Sequence, residues 1–197
     1  MPFSTRFEEA LVYAAQLHKN QLRKGSHTPY VAHLLAVAAI VIEHGGDENQ
    51  AIAALLHDAI EDQGGDTTRQ EIRRRFGDDV TELVDGCTDA ETIPKPPWRA
   101  RKEAYIEHLH TASARIRLVS AADKLHNARA ILTDYRFQGE EVWEYFRGGK
   151  EGTLWYYRTL LTVFQAGEPN RLIDELEHTV RELEALVGQN EELRMKN

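Results

Sequence analysis

The 197-residue chain is 42% hydrophobic and 28% charged, with a formal net charge of −8, a composition that excludes a disordered or low-complexity chain and a general nucleic-acid surface. No apolar run reaches the roughly 18–20 residues of a membrane span, and the opening Met-Pro-Phe-Ser-Thr-Arg carries no signal-peptide core. A single cysteine, Cys87, excludes an intrachain disulfide and fits a reducing compartment, so the cytoplasm is the expected location, and the length predicts one domain over 1–197.

The pattern is helical nearly throughout, predicting an all-α bundle of about eight to ten helices. Residues 4–22 carry a stripe at Phe7, Ala10, Leu11, Ala14, Ala15 and Leu17, stopped by Gly25. Pro29 suits a helix start before the apolar residues 30–44, which end at Gly45-Gly46. Asp47 is placed to cap a helix over 48–63. Thr67 or Thr68 is expected to cap the next, with Glu71 completing a capping box from Thr68. Asp78 to Gly86 predicts another short helix, and Pro94, Pro96 and Pro97 make 87–98 a loop. Helices follow at 98–112, 114–134 and 139–147. After breaks at Gly148, Gly149 and Gly152, two more span 154–166 and 169–188, ahead of a polar tail expected to fray. No extended β-alternation, internal repeat or second domain is visible.

One stretch carries most of the chemistry. Six apolar residues, Ala51 to Leu56, lead into His57-Asp58 and then Glu61-Asp62. On one helix these four side chains fall within an arc of roughly 140°. Acidic groups near a helix C-terminus oppose its dipole by roughly 0.3–1 kcal/mol each, and Gly64-Gly65 closes the helix just beyond. A bound cation explains acids in that position. Two more ligand candidates stand alone in apolar helices: His33, after Tyr30-Val31-Ala32, and Asp123, after Ser120-Ala121-Ala122. Taken singly, each is more readily a hydrogen-bonded core histidine or a solvated acid. An acidic protein can still hold a small anion on local basic residues.

In order, His33, His57-Asp58 and Asp123 resemble the H…HD…D pattern of the HD metal-dependent phosphohydrolases. Arg23-Lys24-Gly25, Pro29-Tyr30, Phe76-Gly77, Val84-Asp85-Gly86-Cys87-Thr88-Asp89 and Asp123-Lys124-Leu125-His126-Asn127 narrow the match. Over about residues 5–165 the chain is similar to the hydrolase domain of the RelA/SpoT homologues and, by length, to the small alarmone hydrolases. It departs from that pattern at Leu34, where the family often has proline, and at Ala130, where it often has threonine.

The resemblance implies His33, His57, Asp58 and Asp123 as ligands of one manganese ion. It makes Glu61 and Asp62 the catalytic pair, as carboxylates able to orient or deprotonate water or to protonate a leaving group. Glu61 lies at i+4 from His57 and i+3 from Asp58, on the same helix face. Arg23 and Lys24 either complement the first helix's C-terminal dipole or, by the resemblance, contact the guanine base and phosphates. Lys124, Asn127 and Arg129 are implied contacts to ribose or phosphate, with a plain surface role open for Arg129, and Tyr156 is a further candidate contact. His18 and His126 are candidates to support the ligands. The implied activity is removal of the 3′-pyrophosphate from (p)ppGpp, in a chain with no room for a synthetase domain. Two other readings stay open: a hydrolase of adenosine alarmones or a phosphatase of a nucleotide such as NADPH, and a catalytically inactive nucleotide sensor or partner-binding module.

Overall fold

The computed structural model describes residues 3–89 and 94–195. Among them are ten α-helices and one 3-10 helix: α1 Thr5–Leu17, α2 Val31–Glu43, α3 Glu48–Leu56, α4 Ala59–Gln63, α5 Asp66–Phe76, α6 Asp78–Cys87, α7 Trp98–Thr111, α8 Ala114–Gln138, the 3-10 helix Gly139–Tyr145, α9 Gly149–Gln165 and α10 Arg171–Met195. The only β pairing described is an isolated antiparallel bridge between Leu22 and Pro29. The expected all-α class is therefore observed. Part of the loop expected over 87–98, residues 90–93, lies outside the described residues, as do the last two residues of the expected frayed tail.

The chain divides into two compact units, Met1–Asp123 and Lys124–Asn197, with the boundary inside α8. In the first, α3 is the central element. It packs against α1, α2 and α6, and every residue from Gln50 to Leu56 is buried. Its start is well specified: Asp47 accepts from the Gln50 backbone at 2.9 Å, and Gln50 Oε1 accepts from the Asp47 backbone at 3.0 Å. This reciprocal cap is where the sequence placed it. Gly86 lets α6 approach α8 closely, since a Cβ there would stand 2.6 Å from Ile116 Cδ1.

Several expected boundaries differ. The helix expected over 48–63 breaks at His57-Asp58, giving α3 and the short α4. Glu61 and Asp62 therefore lie in the first turn of α4 rather than at the end of a long helix, and most of their expected conflict with the helix dipole disappears. The first helix ends at Leu17, so Arg23 and Lys24 stand in the following loop and do not cap its dipole. The expected Thr68–Glu71 capping box does not form. α5 begins at Asp66 after Gly65, Thr68 Oγ1 donates to the Gln63 carbonyl at 2.8 Å, and Glu71 pairs with Arg74 and Arg75. Gly149 and Gly152 do not interrupt α9, which begins at Gly149. α10 continues to Met195 instead of fraying after 188.

In the second unit α10 packs against α9. Its stripe of Leu172, Leu176, Val180 and Leu183 is fully buried, which answers the amphipathic spacing of the sequence.

Candidate functional site

α3 delivers its C-cap residue, His57, already buried to 2% exposure. His57 Nδ1 donates to the Ala54 carbonyl one turn back, at 2.8 Å. That bond fixes the ring and leaves Nε2 as a free donor atom for a ligand role. His33, in the first turn of α2, is buried to 1%, and its Nε2 lies 3.3 Å from His57 Nε2. Asp58 Oδ2 is 3.0 Å from His57 Nε2 and 3.7 Å from His33 Nε2. Asp123 follows the buried run Val119 to Ala122 on α8, and its Oδ1 is 3.2 Å from His33 Nε2 and 3.6 Å from His57 Nε2. All four sequence-predicted ligand candidates thus meet at one point in the first unit.

Two imidazoles and two carboxylates with no thiolate form a donor set suited to a hard or borderline divalent cation. One atom each from His33, His57 and Asp58 lies within 4.8 Å of the others, close enough to share an ion. The electrostatics agree. Burial alone would push the His57 pKa down, yet Asp58 and Asp123 beside it hold it well above the ordinary 6.5. Burial would likewise raise Asp58, but His57 and His33 hold it well below the usual carboxylate range. Two carboxylates facing two buried imidazoles thus favour positive charge at this point.

Tyr30 sits beside this set. Its hydroxyl donates to Asp58 Oδ2 at 2.5 Å, and its ring stacks on His18 and meets His33 edge-on, each with centroids 5.4 Å apart. Burial and the neighbouring Asp58 push its pKa upward, so it stays a phenol and a donor. His18, which the sequence named as a supporting residue, is 2% exposed, and burial lowers its pKa.

The acid pair on α4 has two different environments. Glu61 Oε1 accepts from Lys95 Nζ at 2.6 Å, and Arg101 stands 4.0 Å from it. Arg101 also donates to Asp89, as does Lys102 at 2.7 Å. Asp62 faces the other way, accepting from Gln21 Nε2 at 2.8 Å. Burial first, and Asp58 second, raise the Asp62 pKa, against the opposing Gln21 bond. One carboxylate is thus held by cations and the other beside a neutral amide.

The remaining predicted residues fall in different places. Arg23 lies in the α1–α2 loop, its backbone N–H donating to the Thr28 carbonyl at 2.8 Å and its guanidinium carbon 6.0 Å from the Tyr30 ring centre. Lys24 is exposed in the same loop. Lys124, Asn127, Arg129 and Tyr156 belong to the second unit. There Arg129 pairs with Glu175 at 2.8 Å, and Tyr156 is buried to 6% exposure.

Sequence reasoning missed Gln21, Lys95, Arg101 and Lys102, and it quoted Tyr30 without giving it a role. Tyr30 was within reach, since it precedes His33 by three residues at the entrance to α2 and so shares a side with it. No spacing rule reaches Lys95 and Arg101, because their links to Glu61 span 34 residues or more.

A family profile described as HD domain matches residues 10–153. The Xenopus tropicalis protein named guanosine-3′,5′-bis(diphosphate) 3′-pyrophosphohydrolase MESH1 is 41% identical over 148 residues, 73% of this chain and 80% of its own length. The Homo sapiens protein of the same name is 38% identical over 143 residues, 70% of this chain and 77% of its own length. A solved structure of a metazoan orthologue of SpoT, described as hydrolysing ppGpp, matches with a TM-score of 0.76 at 30% identity. That match covers 92% of this chain and 97% of the other.

Proposed function

The chain belongs to the HD-domain family, and from that premise we propose that it is a guanosine-3′,5′-bis(diphosphate) 3′-pyrophosphohydrolase. Water attacks the phosphorus bound to the ribose 3′-oxygen of (p)ppGpp, the P–O3′ bond breaks, the 3′-oxygen takes up a proton, and the products are pyrophosphate and GDP or GTP. The observation that carries the reading is the convergence of His33, His57, Asp58 and Asp123 within 3.0–3.7 Å, with an acid pair on the next helical turn.

His33, His57, Asp58 and Asp123 would hold one divalent ion, for which we propose manganese. When bound, such an ion acidifies water and polarises the phosphoryl group. The chain's own groups do the rest. Tyr30 and the Ala54 carbonyl orient Asp58 and His57. Asp62, its pKa raised by burial and by Asp58, keeps a proton to higher pH than an ordinary aspartate and can supply the departing 3′-oxygen. Glu61, paired with Lys95, orients the attacking water. Lys95, Arg101 and Lys102 bring positive charge to an otherwise acidic protein, where a diphosphate must be accommodated. Arg23, Lys24, Lys124, Asn127, Arg129 and Tyr156 are the proposed nucleotide contacts. We further propose hydrolysis without synthesis, one domain over 1–197 and a cytoplasmic location, which a lone buried Cys87 and the lack of any described helix able to cross a membrane support.

The test is turnover of ppGpp and pppGpp by the manganese-loaded protein, with adenosine alarmones and NADPH as parallel substrates. Release of pyrophosphate from the guanosine compounds is the expected outcome. Turnover of an adenosine compound alone would overturn the substrate, because an apolar pocket separates the two bases poorly unless polar groups read the edge. No bound metal and no activity after manganese addition would return the chain to the sensor or partner-binding reading.

A further inference from the structure

We propose that Gln21 is the positioning residue of Asp62, held by Gln63 and His18 so that its amide N–H fixes one carboxylate oxygen of the catalytic pair; this rests on the hydrolase reading above. The side chain is engaged at both ends. Gln21 Oε1 accepts from Gln63 Nε2 and from His18 Nδ1, the latter at 2.7 Å. The hydrogen is placed on His18 Nδ1 because its partner is a carbonyl oxygen. With the oxygen end so occupied, the nitrogen end is left for Asp62 Oδ2 at 2.8 Å. Reversing the amide would put two nitrogens together at Gln63 and an oxygen against a carboxylate.

The clamp has its own supports. Gln63 is the last residue of α4, next to Asp62 in sequence, so the bond from Gln63 to Gln21 closes a loop around the carboxylate. His18 is buried and stacked on Tyr30, which limits movement of the ring that faces Gln21. The Gln21 backbone is fixed as well: its carbonyl accepts from the Tyr30 N–H at 2.9 Å, and its N–H donates to the His18 carbonyl at 3.0 Å. Through Tyr30 the same segment reaches Asp58. Lys95, Glu61 and Asp58 also act electrostatically on Asp62, but among the described residues Gln21 makes the hydrogen bond to its carboxylate. That bond holds the carboxylate in one rotamer, and a misplaced proton donor loses rate steeply.

The experiment uses the manganese-loaded full chain with ppGpp and compares Gln21→Glu, Gln21→Met, Gln63→Leu and the Gln21→Glu/Gln63→Leu double variant. Gln21→Glu keeps the shape but places an oxygen against Asp62; Gln21→Met removes the donor without adding charge. Both should lower kcat by about tenfold or more, with KM within about threefold and manganese content unchanged. Gln63→Leu should lose about threefold, and the double variant should be within about twofold of Gln21→Glu alone, because both act through one amide. The inference is overturned if both Gln21 variants keep wild-type kcat, if the loss appears only in KM, if bound metal falls with activity, or if the two losses multiply. A wild-type protein that does not turn over ppGpp sinks the hydrolase reading and this inference together; an active wild type with unaffected Gln21 variants sinks this inference alone.

Discussion

The ligand cluster, drawn from α2, the α3–α4 break and α8, and the acid pair on α4 are neighbours, yet they are built in opposite ways. His33, His57 and Asp123 are 1–9% exposed at their side chains and are carried by the ends or interiors of packed helices, with a backbone carbonyl orienting His57. Glu61 and Asp62 stand in the first turn of a five-residue helix and depend on long side chains from elsewhere, Lys95 for one and Gln21 for the other. The first region is rigid because the apolar core that surrounds it is rigid. The second keeps its shape through polar bonds, which are individually weaker and more easily retuned.

Four predictions test that contrast. The largest effect belongs to Asp58→Ala, which should abolish metal retention and reduce kcat by at least about a thousandfold, measured by metal analysis beside turnover. A variant that keeps stoichiometric metal would break the assignment of the ligand cluster. Next, Glu61→Gln should lower kcat by about a hundredfold, within the range of acid–base and water-orienting groups, while metal content stays at the wild-type level. If metal is lost too, the two regions are not separable.

The third concerns pH. His57 has its pKa raised in the metal-free fold, after the opposing cost of burial, by Asp58 and Asp123. A raised pKa makes the folded state bind its proton more tightly than the unfolded state. The resulting stability is complete below the ordinary 6.5 and is lost as pH rises through the folded value. Metal-free protein should therefore become easier to unfold above pH 6.5, by up to about 1.4 kcal/mol per pH unit. Manganese affinity should strengthen across the same interval by up to about tenfold per unit, since the ion displaces that proton. Denaturation and metal titration at stepped pH measure both, and a flat response would refute the shared-charge account.

The smallest effect is expected for Lys95→Met. Its pair with Glu61 is part-exposed, so stability should change by less than about 1 kcal/mol. Turnover should fall several-fold and lose part of its salt dependence. Unchanged turnover would mean that Glu61 needs no cation to hold it.

Much of this was visible in the order of residues. The apolar stripe of Phe7, Ala10, Leu11, Ala14, Ala15 and Leu17 specified α1, and Asp47 marked the start of α3 through a cap that needs only local geometry. The ligand candidates were legible as a set, because the order His33, His57-Asp58, Asp123 resembles the HD pattern, whereas each taken singly reads as a core histidine or a solvated acid. Other features were not. The break at His57-Asp58 is hidden from periodicity, since both residues keep right-handed backbone angles. The Thr68 cap was misread because its hydroxyl found the Gln63 carbonyl instead of its own helix.

The chain's own pattern therefore determined the helical class and the Asp47 cap that starts α3, because periodicity and capping act within a few residues, and the order His33, His57-Asp58, Asp123 marked the four converging residues through its likeness to the HD pattern. Only the tertiary structure decided what holds the acid pair. Gln21 and Lys95 lie 41 and 34 residues from the carboxylates they bind, and no local rule relates side chains that are brought together solely by packing.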